Sequence, residues 1–171
     1  KGQMQVLEAV NDAIQCGCNI KLYFAGRETD KDYVQRLKKY VRDNGIGSNV
    51  KFLGLVKDMN SVRKKMQFGI VGSSAEAFGR VTVEGMLGGL CMIGADEAGT
   101  SELIQDGRTG RLYQYGDIKG LSGVLQNLFE NKDDCVNRLR TNGQRSAQQF
   151  AVGNCASRVL EIVRKEVNRR E

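Results

Sequence analysis

Two carboxylates lie on either side of a Phe-Gly pair in the segment Glu76-Ala-Phe-Gly-Arg-Val-Thr-Val-Glu84. Short apolar runs at residues 68–72 and 90–93 flank this segment, which has the pattern of a strand that turns at glycine into a helix. The first backbone N–H groups of such a helix point out of the turn with about half a positive charge, which suits a phosphate. The carboxylates can accept hydrogen bonds from the hydroxyls of a sugar and a ribose. The pattern therefore suggests a nucleotide-sugar site.

The elements predicted around this segment alternate between strands and helices. Apolar runs of the kind found in buried strands predict strands at residues 19–26, 49–54, 68–72, 90–93 and 111–113. Apolar residues at helical spacing predict helices at residues 3–14, 30–44, 58–66, 80–87, 101–104, 118–129 and 133–150, and a terminal helix centred on 155–167 within 153–168. A loop is predicted over residues 96–100.

This alternation predicts an α/β fold, with a Rossmann-like parallel sheet and helices on both faces. Glycines follow three of the predicted strands, at Gly26, Gly54 and Gly72. Because ligands of open α/β sheets bind at the carboxyl ends of the strands, the sheet edge and the Phe-Gly turn predict the same location for the site. The length of 171 residues fits a single domain spanning 1–171.

The chain contains five cysteines and no histidine. An odd cysteine count favours reduced thiols and a cytoplasmic setting. Cys16 and Cys18 are closer together than the usual pair of zinc ligands, and no second pair accompanies them, so we expect no metal site. The lack of histidine excludes histidine-based acid–base and triad chemistry.

The formal net charge is +6 and the pI is about 9.1. Lysines and arginines are spread along the chain, with one cluster at residues 164–170, so a solvated surface is the favoured explanation. Aromatic residues make up 6% of the chain, too few for a base-stacking platform, and we expect no nucleic-acid partner. The basic cluster is compatible with peripheral contact at the inner face of a membrane, to which four positive charges lend little support.

The chain begins at Lys1-Gly2, directly before a helical pattern. We therefore expect it to be a fragment of a longer protein. The apolar stripe of the terminal helix is then either core or a surface that packs on a missing domain; it consists of Val159, Leu160, Ile162 and Val163.

Several motifs follow one another in order and at characteristic spacing: Lys1-Gly2, Phe24-Ala25-Gly26, Val50-Lys51-Phe52-Leu53-Gly54, the Glu76 to Glu84 segment, Gly88-Gly89, Ala98-Gly99-Thr100-Ser101-Glu102-Leu103-Ile104, and Asp106 to Tyr113. Together they resemble the C-terminal, donor-binding half of family 4 glycosyltransferases, which are retaining enzymes of the GT-B fold. The resemblance covers nearly the whole chain.

The resemblance implies a nucleotide-diphosphate sugar as donor substrate and a role for each matching residue. Glu76 corresponds to the catalytic residue that contacts the transferred sugar, and Glu84 to the residue that holds the ribose hydroxyls. Lys1 corresponds to the lysine that neutralises the diphosphate. The other implied donor-binding residues are Ala77, Phe78, Gly79, Arg80 and Val81, which place backbone amides on the sugar and distal phosphate, and Val56, which contacts the base.

The resemblance also implies that no metal ion or other cofactor is required, because a helix N-terminus and a lysine can stabilise the departing diphosphate. A carbohydrate or lipid-linked acceptor would lie largely on the absent N-terminal domain, so we expect the isolated chain to bind donor but to be inactive. The family usually has glycine after the first glutamate and an aliphatic residue after Phe-Gly, where this chain has Ala77 and Arg80.

Other interpretations of the same residues remain open. Glu84 could be a structural ion-pair partner of a nearby arginine or lysine, and Glu76 could act as a covalent nucleophile or position a hydroxyl. The chain could be a non-catalytic nucleotide-sugar-binding or regulatory module of the same fold. An epimerase would want acid–base residues including histidine, and a phosphorylase a cofactor lysine in another setting. A dinucleotide-dependent dehydrogenase is disfavoured, because no Gly-x-Gly-x-x-Gly follows the strand that contains Phe24.

Overall fold

The computed structural model describes residues 1–131 and 134–169. Helices and strands alternate in the order α1 (Gln3–Gln15), β1 (Leu22–Ala25), α2 (Lys31–Asp43), β2 (Val50–Gly54), α3 (Met59–Arg63), β3 (Phe68–Val71), α4 (Arg80–Leu87), β4 (Cys91–Ala95), α5 (Ala98–Leu103), β5 (Arg111–Tyr113), α6 (Ile118–Glu130), α7 (Asp134–Ala147) and α8 (Val152–Asn168). A 3-10 turn, Gln148–Phe150, separates the last two helices.

The described strands form two parallel sheets. β1 pairs with β2, with Leu22 opposite Val50. In the second sheet β4 lies between β3 and β5, with Ile70 opposite Ile93. The predicted parallel pairing is confirmed, whereas the strands do not join into the single continuous sheet that the pattern suggested, because no strand hydrogen bonds link β1 to β3.

Helices pack on both faces of the three-stranded sheet, as predicted. On one face, α1 and α6 bury aliphatic side chains such as Val10 and Leu125 against β4. On the other face, Met86 of α4 and Leu103 of α5 pack against Met92. All five residues of β4 are buried, which fits their uninterrupted apolar pattern.

α1 also contributes to the core of the two-stranded sheet. Leu7 on this helix is fully buried among Leu37 and Val41 of α2 and Val50 of β2. Its neighbour Val6 belongs to the core around β4. α1 therefore has apolar residues in the cores of both sheets, which a helix with two apolar faces can provide.

Some predicted boundaries were wrong. α5 begins at Ala98, inside the segment 96–100 that was predicted to be a loop. The predicted helix at 133–150 is an α-helix from Asp134 to Ala147 that tightens into the 3-10 turn, and its predicted first residue, 133, lies outside the described residues.

The terminal helix α8 exposes its apolar stripe. The side chains of Val159, Leu160, Ile162 and Val163 are 52–61% exposed, so the alternative that placed them in the core is wrong. Across residues 1–131 and 134–169, none of the helices combines the length and the hydropathy that crossing a bilayer requires.

We expect the cysteines to differ sharply in reactivity. Burial raises the pKa of the Cys91 thiol to about 12, so this thiol stays protonated at pH 8 as well as inaccessible, whereas Cys16 and Cys155 are exposed. Alkylation of the folded protein with iodoacetamide, followed by mass spectrometry, should modify Cys16 and Cys155 and spare Cys91 until denaturant is added. Equal rates at Cys91 and Cys16 would contradict the packing of β4.

Candidate donor-binding site

The turn before α4 depends on glycine. Gly79 has φ 75° and caps the N-terminus of α4, in the left-handed region that favours glycine. A Cβ at this position would lie 2.9 Å from Leu103 Cδ1. The Phe-Gly pair therefore forms the predicted turn, and the free N–H groups of α4 begin at Arg80, as predicted.

The segment that carries Glu76 rests on the start of α5. The Gly99 N–H donates to the Glu76 carbonyl oxygen at 2.9 Å. A Cβ on Gly99 would come within 2.8 Å of that oxygen and 2.9 Å of the Ala77 carbonyl oxygen. Only glycine allows this approach without displacement, so Gly99 fixes the backbone of the loop.

The residue before Gly99 adopts an unusual conformation. Ala98 has φ 46°, and it is the one described residue other than glycine with positive φ. Glycine adopts a left-handed backbone freely, whereas alanine does so at a cost of about 1–2 kcal/mol.

Both carboxylate oxygens of Glu84 contact arginines. Arg63 Nη2 of α3 donates to Glu84 Oε2 at 2.5 Å, and Arg80 Nε lies 3.4 Å from Glu84 Oε1. The Arg63 side chain is only 14% exposed, whereas that of Arg80 is 85% exposed. Glu84 therefore forms the ion pairs that the structural interpretation anticipated. Since a carboxylate has about four acceptor positions, these contacts still leave room for two hydroxyl donors.

A second helix N-terminus approaches from α1. Gly2 has φ 71°, caps α1, and packs so closely on the end of β3 that a Cβ would lie 1.8 Å from the Gly72 carbonyl oxygen. Lys1, directly before it, is exposed. The α1 N-terminus therefore lies at the carboxyl edge of β3, next to the start of the loop that leads to Glu76.

Gln5 connects this helix to two loops, although no sequence motif marks it as a site residue. Its Nε2 donates to the Gly72 carbonyl oxygen at 2.7 Å and to the Tyr113 hydroxyl at 3.3 Å. Its Oε1 accepts from the Gly116 N–H at 2.9 Å. Burial raises the pKa of Tyr113 to about 12, so the phenol stays protonated well above physiological pH, and its oxygen accepts the hydrogen bond from the Gln5 amide. These bonds hold α1 against the ends of β3 and β5.

Several of the predicted residues line one open cavity of about 810 Å³ between the two sheets. Lys1, Glu76 and Val81 contribute to its wall, together with Ser73 at the end of β3. Glu76 and Lys1 thus line the same cavity, and their roles toward a donor stay predictions.

Other predicted residues lie outside this cavity. Phe78 is 52% exposed and meets Phe150 edge-on, with the ring centroids 5.6 Å apart. Val56 follows β2 in the other sheet and does not line the cavity. Among the described residues, no group of three or more cysteine, aspartate or glutamate side chains is placed to hold a metal ion.

A family model described as "Glycosyl transferases group 1" matches residues 1–131. The chain belongs to the group 1 glycosyltransferase family. The matched residues include the Phe-Gly turn between the two glutamates, which carries the resemblance. The match extends through β5 to the end of α6.

Named relatives of this glycosyltransferase domain include two proteins that are themselves described as glycosyltransferases. It is 24% identical over 165 residues to a phosphatidyl-myo-inositol mannosyltransferase of Mycobacterium leprae, covering 95% of this chain and 42% of the relative. It is 26% identical over 164 residues to an uncharacterised glycosyltransferase of Methanocaldococcus jannaschii, covering 95% of this chain and 44% of the relative.

Solved structures show the same architecture. HepE of Anabaena, crystallised with UDP and glucose, superposes with a TM-score of 0.87 at 27% identity, covering 96% of this chain and 45% of HepE. HepE was also solved with UDP-glucose. These likenesses confirm the predicted α/β fold of the GT-B type. The glycosyltransferase domain spans less than half the length of these relatives.

Proposed function

We propose that this chain is the donor-binding part of a retaining glycosyltransferase that takes its sugar from a nucleotide-diphosphate sugar. The observation that carries the proposal is the convergence of Glu76, Lys1 and the α1 N-terminus at the edge of one cavity, in a chain of the group 1 family. The complexes of HepE with UDP and UDP-glucose support a nucleotide sugar as the ligand class.

The diphosphate would lie between the N-termini of α1 and α4. The dipoles of both helices and the free N–H groups at the start of α4 favour an anion there, and Lys1 adds a full positive charge. In the first turn of α1 the Met4 N–H already donates to the Tyr33 hydroxyl, so α1 would contribute mainly through its dipole. As the sugar–phosphate bond breaks, negative charge grows on the departing diphosphate, and these groups stabilise it without a metal ion. Glu76 would contact hydroxyls of the transferred sugar, and Glu84 those of the ribose.

The acceptor would bind outside the described chain. Relatives are more than twice as long as the part they share with this domain, which supports a second domain across the cleft. We propose a carbohydrate or lipid-linked acceptor there, a cytoplasmic enzyme that works at the inner face of a membrane, and an isolated donor domain that does not turn over. The exposed apolar stripe of α8 fits a surface that packs on that second domain.

Calorimetric titration with UDP, GDP and ADP, each compared with its monophosphate, tests the ligand class. We expect one diphosphate to bind, and its monophosphate to bind about tenfold or more weakly, since a charge-assisted hydrogen bond contributes about 1.5–3 kcal/mol. Equal affinity for the diphosphate and the monophosphate would contradict the proposed position of the diphosphate between the N-termini of α1 and α4.

A second measurement separates the enzyme from a non-catalytic module. In the longer polypeptide, Glu76→Gln should abolish sugar transfer while nucleotide binding is kept, because the change removes a charge beside the sugar and leaves the phosphate contacts in place. Unchanged cellular function in that variant would favour the non-catalytic module. We expect the chelator EDTA to leave transfer unchanged.

A further inference from the structure

Two tyrosines of α2 contact α1 in the same way. The Tyr33 hydroxyl accepts a hydrogen bond from the Met4 N–H at 2.9 Å, and the Tyr40 hydroxyl accepts one from Asn11 Nδ2 at 3.3 Å. Both rings are half-buried and pack against the core around Leu7. The tyrosines lie seven residues apart on α2, as their partners do on α1, so they form two successive contacts between the same faces of two helices.

Of these two tyrosines, only Tyr33 lies at the end of α1. Met4 is in the first turn of α1, where backbone N–H groups have no intrahelical partner and point out of the helix end. The Tyr33 hydroxyl, which accepts from this N–H, therefore lies at the positive end of the helix dipole. The Tyr40 hydroxyl contacts a side chain about two turns farther along the helix.

Tyr33 also lies beside the boundary between two cavities. It lines a small cavity of about 120 Å³ at the carboxyl ends of β1 and β2. Gln3, the first residue of α1, lines both this cavity and the larger one that has Glu76 and Lys1 in its wall. A ligand that extends from the larger cavity over the N-terminus of α1 therefore meets Tyr33.

The Tyr33 hydroxyl still has a proton to donate. A phenol oxygen that accepts a hydrogen bond from Met4 keeps its own O–H donor, and within residues 1–131 and 134–169 this donor has no acceptor. Accepting from an N–H group polarises the O–H, and successive hydrogen bonds of this kind strengthen one another by about 10–30%. An anionic oxygen is the acceptor that makes the strongest hydrogen bond with such a donor.

The neighbours of Tyr33 hold it in place. The Asp30 carboxylate accepts from the Tyr33 N–H at 2.9 Å, which fixes the start of α2. The Arg36 guanidinium lies over the ring, 5.4 Å from its centroid, and adds a positive charge. The other carboxylate that lines the small cavity, that of Glu28, is paired with Lys38. Each of these carboxylates already has a donor of its own, so the Tyr33 O–H stays available to a ligand.

We propose that the Tyr33 hydroxyl donates a hydrogen bond to a phosphate oxygen of the nucleotide sugar and so links the positive end of α1 to the ligand. The inference rests on the proposed function and adds a binding residue to the proposed site. It also explains how α1 stabilises an anion although its Met4 N–H is already occupied, because the hydroxyl lies between that N–H and the phosphate.

Calorimetric titration of the variants Tyr33→Phe and Tyr40→Phe with UDP, GDP and ADP tests the inference. Each change removes one hydroxyl between the same two helices, so both should lower the melting temperature by a similar amount, about 2–4 °C. Only Tyr33→Phe should weaken binding of the diphosphate that the wild type binds, by about 10-fold or more, because a charge-assisted hydrogen bond is lost. Competition with uridine, guanosine or adenosine should show nucleoside affinities within about twofold of the wild type in both variants, since a nucleoside has no phosphate.

Three results would overturn the inference. One is a diphosphate affinity of Tyr33→Phe within about twofold of the wild type. Another is an equal loss of affinity in Tyr40→Phe, which would assign the effect to the packing of α1 on α2. The third is an equal loss of nucleoside affinity in Tyr33→Phe, which would place the hydroxyl at the base or the ribose. In all three the wild type binds a diphosphate, whereas failure of the proposed function, and of this inference with it, would leave the wild type without affinity for any of the three.

Discussion

Replacing Gly2 by alanine should lower the free energy of unfolding by about 2–5 kcal/mol. The residue has φ 71°, which costs an alanine about 1–2 kcal/mol. The new Cβ would also lie 1.8 Å from the Gly72 carbonyl oxygen, and relieving this overlap adds about 1–3 kcal/mol. Urea denaturation followed by circular dichroism measures the difference.

Gly17→Ala is the matched control. Gly17 has φ 92°, yet a Cβ there would meet no atom within 4 Å. Gly17→Ala should therefore lower the free energy of unfolding only by the conformational cost, about 1–2 kcal/mol. Equal destabilisation by the two changes would mean that α1 does not pack on the end of β3. The functional effect should differ as well, because moving the N-terminus of α1 displaces Lys1 from the site.

Glu84→Ala should weaken binding of the nucleoside diphosphate by about 10- to 100-fold. Hydrogen bonds to a charged group contribute about 1.5–3 kcal/mol, and the proposed contacts go to the ribose hydroxyls. The selective readout is the ratio of affinities for the nucleotide and its 2′,3′-dideoxy analogue, measured by calorimetry. Glu84→Ala should bring this ratio close to one while leaving the analogue's own affinity unchanged.

The two arginines on Glu84 provide an internal comparison. Arg63→Ala should also reduce the ratio strongly, because this side chain is only 14% exposed and fixes Glu84 Oε2 from another helix. Arg80→Ala should change the ratio by no more than about twofold, since its side chain is 85% exposed and such surface pairs contribute little. If the wild-type protein binds the nucleotide and its dideoxy analogue equally well, Glu84 does not hold the ribose. If the Arg63→Ala variant keeps the wild-type ratio of the two affinities, Arg63 does not position Glu84.

The strands and the turn at the site could be predicted because their signals are local. β4 is buried on both faces and appears in the sequence as an unbroken apolar run. Gly79 follows Phe78 directly before a helical pattern and caps α4 as expected. The start of α5 was missed, because Ala98 has a left-handed backbone and the capping residue Glu97 makes no side-chain cap hydrogen bond.

Contacts between distant parts of the chain could not be predicted in this way. Arg63 lies 21 positions from Glu84, and nothing in the spacing marks it as that residue's partner. Gln5 contacts Tyr113 across 108 positions through an ordinary side-chain amide. The gap between the sheets was missed for the same reason, since apolar runs identify strands but not which strand lies beside which.

The double role of α1 has a consequence for how the chain opens. β1 and β2 share a small core that depends on Leu7, whereas β3, β4 and β5 lie between two larger groups of buried side chains. Within the described residues no main-chain ladder joins the two parts, so we expect two cooperative folding units of unequal stability, coupled through one helix. We expect sub-global unfolding to release β1, α2 and β2 first. The segment from Glu76 to Glu84 belongs to the unit that stays folded, so its conformation outlasts that of the residues around Val56.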